Sequence, residues 1–437
     1  MRRWSLLLGV AGIAAAAPAL AQETDVAPVP PAAPAVALMT AAAPDSSVAP
    51  YYSAHPGALI WLRDATSRAA AAKLVEILRR APVDGLDEGP ALASAVEGAL
   101  ASGLPAGDRV VSAAWVRYVE ALDRPVAGIS YGDPALALTA PSAQAILEEA
   151  ARTASLVAHV ERVSAVNPLY STLREQAASD GSGADPHVRA TLDRLRLIPA
   201  RGRAILVDVA NARLLMLEDG QIVDTMKVIV GKRDFPTPLI AGTIHYVTFN
   251  PYWHIPQDVA RRKVAPIVLK RGVSYLKAAR YQTVSAFGYD NVELVDPASI
   301  DWKAVAAGDV EVNIRQLTGP NNMMGKMKFG FVNDYGIFLH DTPHKELFKK
   351  ARRNLSLGCV RVEHPERLAQ WLLGREPDAP ADDAEQLVRI DHGVPIYISY
   401  LTATVEDGQI AFADDVYGLD EAKPEQALAA ASAAAPR

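Results

Sequence analysis

A change in the spacing of apolar residues near Arg203 constrains the fold of this 437-residue chain more than any other feature. From residue 50 to about 200, apolar side chains recur at helical spacing between polar ones. After that point, short apolar runs rich in β-branched residues alternate with turn residues such as Asp219-Gly220. The pattern predicts an α+β protein with a helical N-terminal domain and a β-rich second domain.

Individual segments support this division. In the helical half, three periodic segments predict helices, the first with a cap at Thr66 or Ser67: Arg68–Arg80, Val110–Leu122 and Ser142–Val163. In the second half, six apolar runs predict strands: Ala204–Val209, Arg213–Leu217, Ile222–Val230, Gly242–Phe249, Tyr335–Leu339 and Val394–Thr404. The Gly-, Asn- and Met-rich segment Asn321–Gly330 predicts a loop.

The N-terminus has the pattern of a secretory signal. Arg2 and Arg3 precede a short apolar stretch, and Ala19-Leu20-Ala21 fits the small-x-small cleavage rule. The stretch is short for a membrane span, so we expect cleavage, a periplasmic location and no stable membrane span in the mature protein. The predicted divisions are a signal peptide, a Pro/Ala-rich linker, a helical domain, a β-rich domain with an insertion at about 257–312, and a disordered Ala-rich tail: residues 1–21, 22–48, 49–200, 201–405 and 421–437.

The net charge and the cysteine content exclude some kinds of partner and covalent structure. The net charge is −6 and no basic face is apparent, so nucleic acid is not an expected partner. The one cysteine, Cys359, excludes an intramolecular disulfide. A free thiol in an oxidising compartment is exposed to oxidation, so an exported protein either buries it or uses it. Taken alone, such a cysteine is most often a small buried apolar residue.

The segment around Cys359 suggests a use. His340 ends a predicted strand, Thr342 is suited to cap a following helix, and Pro343 is suited to its first position. We expect that helix to run to about Arg353, after which a loop returns Cys359 to His340.

The residue types fit amide attack. A thiolate is the attacking form of cysteine, and an adjacent imidazole takes its proton and later donates it to the leaving amine. Gly358 allows a sharp turn and close approach of backbone N–H groups to an oxyanion. Arg361 offers a planar fork for a carboxylate.

A zinc site is the alternative reading of the same residues. Its ligands would come from His340, His344, Asp341, Cys359 and His364. The usual zinc spacings are absent and there is no second cysteine, so we expect neither a metal nor another cofactor. His364-Pro365 more simply predicts the start of a helix.

At the level of ordered motifs, the second half resembles the L,D-transpeptidases with a YkuD-type catalytic domain. The large Gram-negative subgroup with a helical scaffold domain and a capping insertion is the best match. The resemblance is carried by these segments: Val230–Lys232, Pro236–Pro238, Phe249–Pro256, Arg315–Gln316, Gly319–Asn322, Gly325, Lys328–Phe329, His340–Pro343 and Ser356–Leu373.

The resemblance implies a β-sandwich-like catalytic fold and a peptidoglycan stem tetrapeptide as donor. Cys359 would attack the L-centre carbonyl of meso-diaminopimelate, release D-Ala and pass the acyl group to a second stem, giving a 3→3 cross-link. His340 would be the acid/base, the Asp341 backbone carbonyl its orienting group, and Gly358 part of the oxyanion loop. Implied substrate-binding residues are Arg361, Ser356, Leu357, Tyr252, Trp253, Asn250 and Tyr335. Carbapenems would acylate the thiol, and cell-wall synthesis proteins would be partners.

Three departures accompany the resemblance. Leu357 stands where many members have His or Ser, and His344 occupies a variable position. Only about 30 residues separate Tyr170 from Arg201, too few for the peptidoglycan-binding module that many members of the subgroup carry.

Two rival functions remain open at this point. One is hydrolysis of the same acyl-enzyme by an L,D-carboxypeptidase or lipoprotein-detaching amidase, because only the attacking water or amine differs. Shielding by the insertion would favour transfer. The other is a non-catalytic envelope-binding protein, which would be expected to lose the cysteine or the histidine.

Overall fold

The computed structural model describes residues 47–288, 292–377 and 384–420. The predicted signal peptide, most of the predicted linker and the predicted tail lie outside these residues. Within them, every helix is too short or too polar to cross a membrane.

The N-terminal part is helical, as predicted. Its helices are α1 Ala49–Ala54, α2 Ala65–Arg80, α3 Gly89–Ser102, α4 Ala106–Leu122, α5 Ala143–Arg152, α6 Leu156–Ala165, α7 Pro168–Asp180 and α8 Pro186–Leu195. The cap of α2 is Asp64, which forms a reciprocal capping box with Ser67, so the predicted cap was misplaced. The single helix predicted at Ser142–Val163 is two, because Ser155 accepts a backbone hydrogen bond and caps α6 as Ser142 caps α5.

These helices pack into two different apolar cores. Helices α1 to α6 enclose one core, which includes the buried Trp61, Trp115 and Leu147. The side chains of α7 and α8, such as Tyr170 and Leu192, instead belong to the core of the strand-rich domain. A two-residue strand, β1 (Ser130–Tyr131), also leaves the helical part and joins the sheet of the second domain. The helical part is therefore attached to the sheet by both strand pairing and apolar packing.

The second part is rich in strands. In chain order they are β2 Arg203–Asp208, β3 Arg213–Glu218, β4 Gln221–Gly231, β5 Ile240–Phe249, β6 Trp253–His254, β7 Tyr281–Val284, β8 Asn313–Gln316, β9 Met327–Phe331, β10 Leu339–His340, β11 Asn354–Ser356, β12 Val360–Val362, β13 Gln386–Ser399, β14 Ala403–Glu406 and β15 Gln409–Phe412. The main sheet has the order β1-β5-β13-β2-β3-β4-β12-β10-β9. Because β9 also pairs with β5, the path closes on itself around the large apolar core. The α+β organisation is thus as predicted.

One predicted strand and one predicted loop in this domain need correction. The strand predicted at Tyr335–Leu339 is reduced to β10, because the Asn333 side chain accepts from the backbone N–H of Tyr335 and Ile337 and holds a turn there. The segment Asn321–Gly330, predicted as a loop, contains the start of β9, where Met327 and Phe329 alternate into the core.

The strand predicted at Val394–Thr404 is also different. It is the end of β13 and the start of β14, separated by residues 400–402. The helix predicted from His364-Pro365 is present as α13, Pro365–Leu373.

The inserted segment forms a small unit of its own. A three-stranded sheet in the order β6-β8-β7 packs with short helices: α9 Gln257–Val259, α10 Ala265–Arg271, α11 Ser274–Ala278 and α12 Trp302–Ala307. Its apolar core includes Ile255, Val268, Trp302 and Ile314 and is separate from the other two cores. The first and last strands of this unit lie just outside the predicted limits of 257 and 312.

Candidate active site

The candidate nucleophile and base lie on neighbouring strands. Strands β10 and β12 are parallel, with His340 aligned with Arg361 and Leu339 with Val360. Val360 N–H donates to Phe338 O at 3.2 Å, which extends the pairing back to the residue beside Cys359. Because side chains alternate along a strand, Cys359 and Arg361 share the face on which His340 lies. The fold thus brings together two residues that are 19 positions apart.

The connection between them differs from the predicted helix to Arg353. A five-residue 3-10 helix forms instead, at Lys345–Lys349, and Lys350, which follows it, already has an extended backbone. The Arg353 guanidinium explains the early end, because it donates to the carbonyls of Asn211, Ala212 and Val228. These bonds draw the chain against the sheet, where β11 begins at the next residue and pairs with β4.

His340 is held as a neutral base. Its side chain is buried, and Nδ1 lies 2.5 Å from Asp341 O, so Nδ1–H donates and Nε2 keeps its lone pair. The pKa of His340 is lowered to about 3. Burial is the main cause, and the nearby Arg361 and Lys328 cations also lower the pKa, against the raising effect of the Asp341 bond. The imidazole is therefore uncharged and has one tautomer favoured.

The Asp341 carbonyl is itself fixed in direction. Asp341 N–H donates to Met327 O at 2.9 Å, and its carboxylate accepts from Lys326 N–H at 2.8 Å and pairs with Lys345 Nζ at 2.6 Å. Gly325 makes this approach possible, because a Cβ atom there would lie 2.3 Å from Asp341 Oδ2. The orienting group of His340 is thus braced from two directions.

Cys359 is a half-buried free thiol. Its Sγ lies 3.9 Å from Gly336 O, which is a weak contact. Burial raises the pKa of Cys359, while a hydrogen bond from the Phe338 backbone and the charges of Lys328 and Arg361 oppose that rise. The resting pair is therefore a thiol beside a neutral imidazole, with two cations close enough to favour a thiolate once the proton leaves.

The loop before Cys359 contains a backbone conformation that requires a glycine. Gly358 has φ +121°, a conformation that L side chains rarely adopt. Ser356 closes the loop, accepting from Gly358 N–H at 3.2 Å and donating to Cys359 O at 2.6 Å. The Ser356 hydroxyl is buried in this role, whereas the Leu357 side chain is 44% exposed beside the thiol. Of these two predicted substrate-binding residues, only Leu357 faces the open surface.

The other predicted substrate-binding residues occupy three places. Arg361 is half-buried on the same face as the thiol, and Tyr335 packs against the main core. Asn250 follows β5 with φ +47°, and Trp253 packs against the core of the inserted unit. Tyr252 lies beneath Arg315, whose Cζ is 4.5 Å from the ring centroid.

Sequence reasoning did not assign a role to Lys328, which the structure places at the centre of the site. Lys328 is the antiparallel partner of His340, and its Nζ lies 4.4 Å from the Phe338 ring centroid. Burial lowers the pKa of Lys328, while Glu385 and Cys359 raise it. The alternation of buried Met327 and Phe329 around it was the signal that would have revealed a strand.

Glu385 was also missed. It accepts from Tyr252 N–H at 2.9 Å, and burial raises the pKa of this carboxyl against the lowering effects of that bond, Lys328 and Arg315. Glu385 therefore connects the start of the inserted unit with the charged face around the thiol. Its partners are distant in sequence, so no local pattern could have identified it.

The alternative zinc site lacks a set of ligands in the ranges that the structure describes. No three His, Cys, Asp or Glu side chains converge there on a possible ion position. His344 lies 3.5 Å from Glu346 and His364 lies 3.8 Å from Glu363.

Comparisons with known proteins agree with the two-part architecture. Residues 202–398 match the family described as the L,D-transpeptidase catalytic domain, YkuD, and residues 46–176 match the family described as the scaffold domain. Only the end of α7, α8 and short turns lie between the matched segments. A Haemophilus influenzae protein provisionally named an L,D-transpeptidase is 32% identical over 234 residues, which are 52% of this chain and 46% of that protein. The match thus spans about half the length of the relative. This chain therefore combines a scaffold domain with a YkuD L,D-transpeptidase catalytic domain, the architecture of the large scaffold-containing L,D-transpeptidases.

Proposed function

We propose that this protein is a peptidoglycan L,D-transpeptidase in which Cys359 is the nucleophile and His340 the general acid/base. The observation that carries the proposal is the arrangement of these two residues on adjacent strands, with His340 Nδ1–H donated to Asp341 O. That bond leaves Nε2 as the proton acceptor. Membership of the catalytic domain in the L,D-transpeptidase family supports the same reaction class.

The acylation step follows from the neutral resting pair. His340 Nε2 takes the thiol proton as Cys359 Sγ attacks the L-centre carbonyl of meso-diaminopimelate in a donor tetrapeptide. An Sγ–C bond forms, the C–N bond to D-Ala breaks, and the imidazolium returns the proton to the departing amine. The product of this half-reaction is a thioester acyl-enzyme and free D-Ala.

The second half-reaction regenerates the thiol. The side-chain amine of meso-diaminopimelate in an acceptor stem attacks the thioester, the new C–N bond makes the 3→3 cross-link, and the C–Sγ bond breaks. His340 accepts the proton of the amine and delivers it to the sulfur. Backbone N–H groups of the Gly358 loop would face the oxyanion in both halves.

Charged groups around the thiol support binding of an anionic, peptide-like substrate. Lys328 and Arg361 are cations on the face of the thiol, and Arg361 has the planar fork that suits a carboxylate. Tyr252, Trp253, Asn250, Tyr335 and Leu357 are proposed as further contacts for the stem peptides, whereas Ser356 acts within the loop. Meso-diaminopimelate stem peptides are the proposed donor and acceptor.

Transfer rather than hydrolysis is favoured by the inserted unit. It is an independently packed unit whose first residues are bonded to Glu385, next to the charged face. A unit in this position would restrict water at the acyl-enzyme while an acceptor stem is bound.

A product assay tests the proposal. Purified protein is incubated with disaccharide-tetrapeptide, and the products are separated and weighed by mass spectrometry. We expect a dimer that lacks one D-Ala relative to two monomers. Tripeptide monomer as the sole product would replace transferase with carboxypeptidase activity, and unchanged substrate would refute both.

Covalent trapping tests the nucleophile separately. A carbapenem should add its full mass to the wild-type protein, on the peptide that contains Cys359, because the strained amide acylates the thiolate. Cys359→Ala should abolish the adduct. His340→Ala should slow its formation by about 10²–10⁴-fold, the usual contribution of a positioned base. An adduct that persists in Cys359→Ala would refute the assignment.

We also propose that the protein acts in the periplasm, among other cell-wall synthesis proteins. The signal-like residues 1–21 and the location of peptidoglycan support this placement. Fractionation of cells that express the full chain, with N-terminal sequencing of the recovered protein, tests it. Uncleaved protein in the cytoplasmic fraction would contradict it.

A further inference from the structure

A short segment at the end of the described chain contacts the catalytic domain at the nucleophile loop. This segment, residues 413–420, is called the C-terminal strap below, and it lies beyond residue 398, where the match to the catalytic domain ends. Its last residue, Asp420, has a fully buried carboxylate that lies 2.6 Å from both His187 Nδ1 and Arg194 Nη1. The Thr402 hydroxyl also donates to Asp420. The strap is therefore anchored to α8 and to the residues just before β14.

Within the strap, Tyr417 points its ring into the catalytic domain. The ring stacks on Tyr400, with centroids 5.4 Å apart, and Tyr417 N–H donates to Tyr400 OH at 3.1 Å. The Tyr417 hydroxyl donates to Gly231 O at 2.5 Å and accepts from Thr237 N–H at 3.3 Å. Tyr417 therefore holds the end of β4 and the turn that follows it.

Thr237 carries the contact from Tyr417 to the nucleophile. Its buried hydroxyl accepts from Gly231 N–H at 2.8 Å and donates to Gly358 O at 2.7 Å. Gly358 O belongs to the same peptide unit as Cys359 N–H. Because a trans peptide is planar, with its C=O and N–H pointing in opposite directions, holding the oxygen also sets the direction of that N–H. The chain of contacts from the strap thus ends on the backbone donor next to the thiol.

We propose that Tyr417 is a positioning residue that, through Thr237, fixes the Gly358–Cys359 peptide unit so that Cys359 N–H is aimed at the oxyanion of the reaction. The inference rests on the proposed acyl transfer. The C-terminal strap, which is distant in sequence from both Cys359 and His340, would then be a working part of the catalytic domain. Such bracing is needed because position 358 is a glycine. Glycine can adopt φ +121°, but it can also adopt many other backbone conformations, so contacts from outside the loop must select this one.

Two substitutions remove the hydroxyl hydrogen bonds of Tyr417 and Thr237 while nearly preserving the shape of each side chain. Tyr417→Phe keeps the ring stacked on Tyr400 but loses both hydroxyl contacts, and Thr237→Val keeps the branched side chain but loses the bond to Gly358 O. We expect each to slow the acylation of Cys359 by a carbapenem roughly tenfold, the factor that corresponds to one or two hydrogen bonds. Thr237→Ser retains the hydroxyl and should restore most of the rate. Tyr131→Phe is the matched control, because it removes a buried hydroxyl that has no hydrogen-bond partner among the described residues.

Backbone hydrogen exchange gives a readout that does not depend on the reaction. In the full-length protein, a peptide spanning residues 355–361 should exchange faster in Tyr417→Phe and Thr237→Val than in the wild type or Tyr131→Phe. Equal exchange in Tyr417→Phe and the wild type would overturn the inference. So would faster exchange with an unchanged acylation rate. If the wild-type protein formed no adduct at all, the proposed function would fail, and the exchange measurement would still decide whether the strap holds the loop.

Discussion

The buried neutral state of His340 makes a sharp prediction about stability and pH. In the unfolded chain a histidine titrates near its ordinary pKa of 6.5, whereas burial, aided by Arg361 and Lys328, lowers the pKa of folded His340 to about 3. Between these two values the unfolded chain binds a proton that the folded protein does not. By linkage, the contribution is fully present above pH 6.5 and is lost progressively as the pH falls toward 3.

The size of the loss in unfolding free energy depends on how far the pH lies below the unfolded-state pKa of 6.5. Each pH unit in this window corresponds to about 1.4 kcal/mol, so at about pH 5 His340 should reduce the free energy of unfolding by about 2 kcal/mol relative to about pH 8. That is a substantial share of the 5–15 kcal/mol that is typical of domains.

Urea unfolding at a series of pH values, followed by circular dichroism, measures this effect in the wild type and in His340→Gln. Glutamine is similar in length and polar, but it does not titrate. Other groups titrate in both proteins, so the difference between their pH slopes isolates His340. We expect the wild type to lose about 2 kcal/mol more than the variant between about pH 8 and pH 5. Equal slopes, or a steeper slope in the variant, would refute a buried neutral imidazole.

Three further predictions follow from the site and its supports. Lys328→Met should raise the pKa of the Cys359 thiol and slow its alkylation by iodoacetamide at neutral pH several-fold. The control is Lys326→Met, at an exposed position, which should be alkylated at the wild-type rate. Equal alkylation rates in Lys328→Met and the wild type would contradict an electrostatic role for Lys328. Gly358→Ala should cost roughly 1–3 kcal/mol of strain and reduce acylation, measured by thermal unfolding and adduct mass, and a fully active, equally stable variant would show that the positive φ is not needed. The buried carboxylate at the end of the strap raises the pKa of His187, so its contribution is present below pH 6.5 and is lost as the pH rises through the raised value. His187→Gln should therefore destabilise the protein more at pH 6 than at pH 9 in thermal unfolding, and a loss that grows with pH would reverse the sign.

Sequence pattern was enough for much of the fold because its signals are local. Strands β2 to β5 appear as apolar runs bounded by turns, and α2 and α4 as periodic helices. The pattern failed for two different reasons, one a long-range contact and the other a local signal that was obscured. The Arg353 guanidinium ended the expected helix after Thr342, and alternation hidden among glycine and methionine residues made β9 look like a loop.

For the candidate site, the motifs identified His340 and Cys359, because the residue types and their order are themselves chemical information. They did not identify Lys328, whose importance comes from its pairing with His340 across β9 and β10. They predicted Ser356 as a substrate-binding residue, whereas the fold turns its hydroxyl inward to the loop backbone.

The sequence by itself determined the two-part α+β organisation and the family of the catalytic domain, and it pointed to Cys359 and His340 as the candidate catalytic pair. Only the tertiary structure decided how that pair is held and charged. The pairing of β9 with β10 places Lys328 opposite His340, and burial then makes the imidazole neutral. Tyr417 reaches the end of β4, 186 positions away along the chain. Burial and contacts of this kind depend on where the chain lies in space, and no local pattern of residues records them.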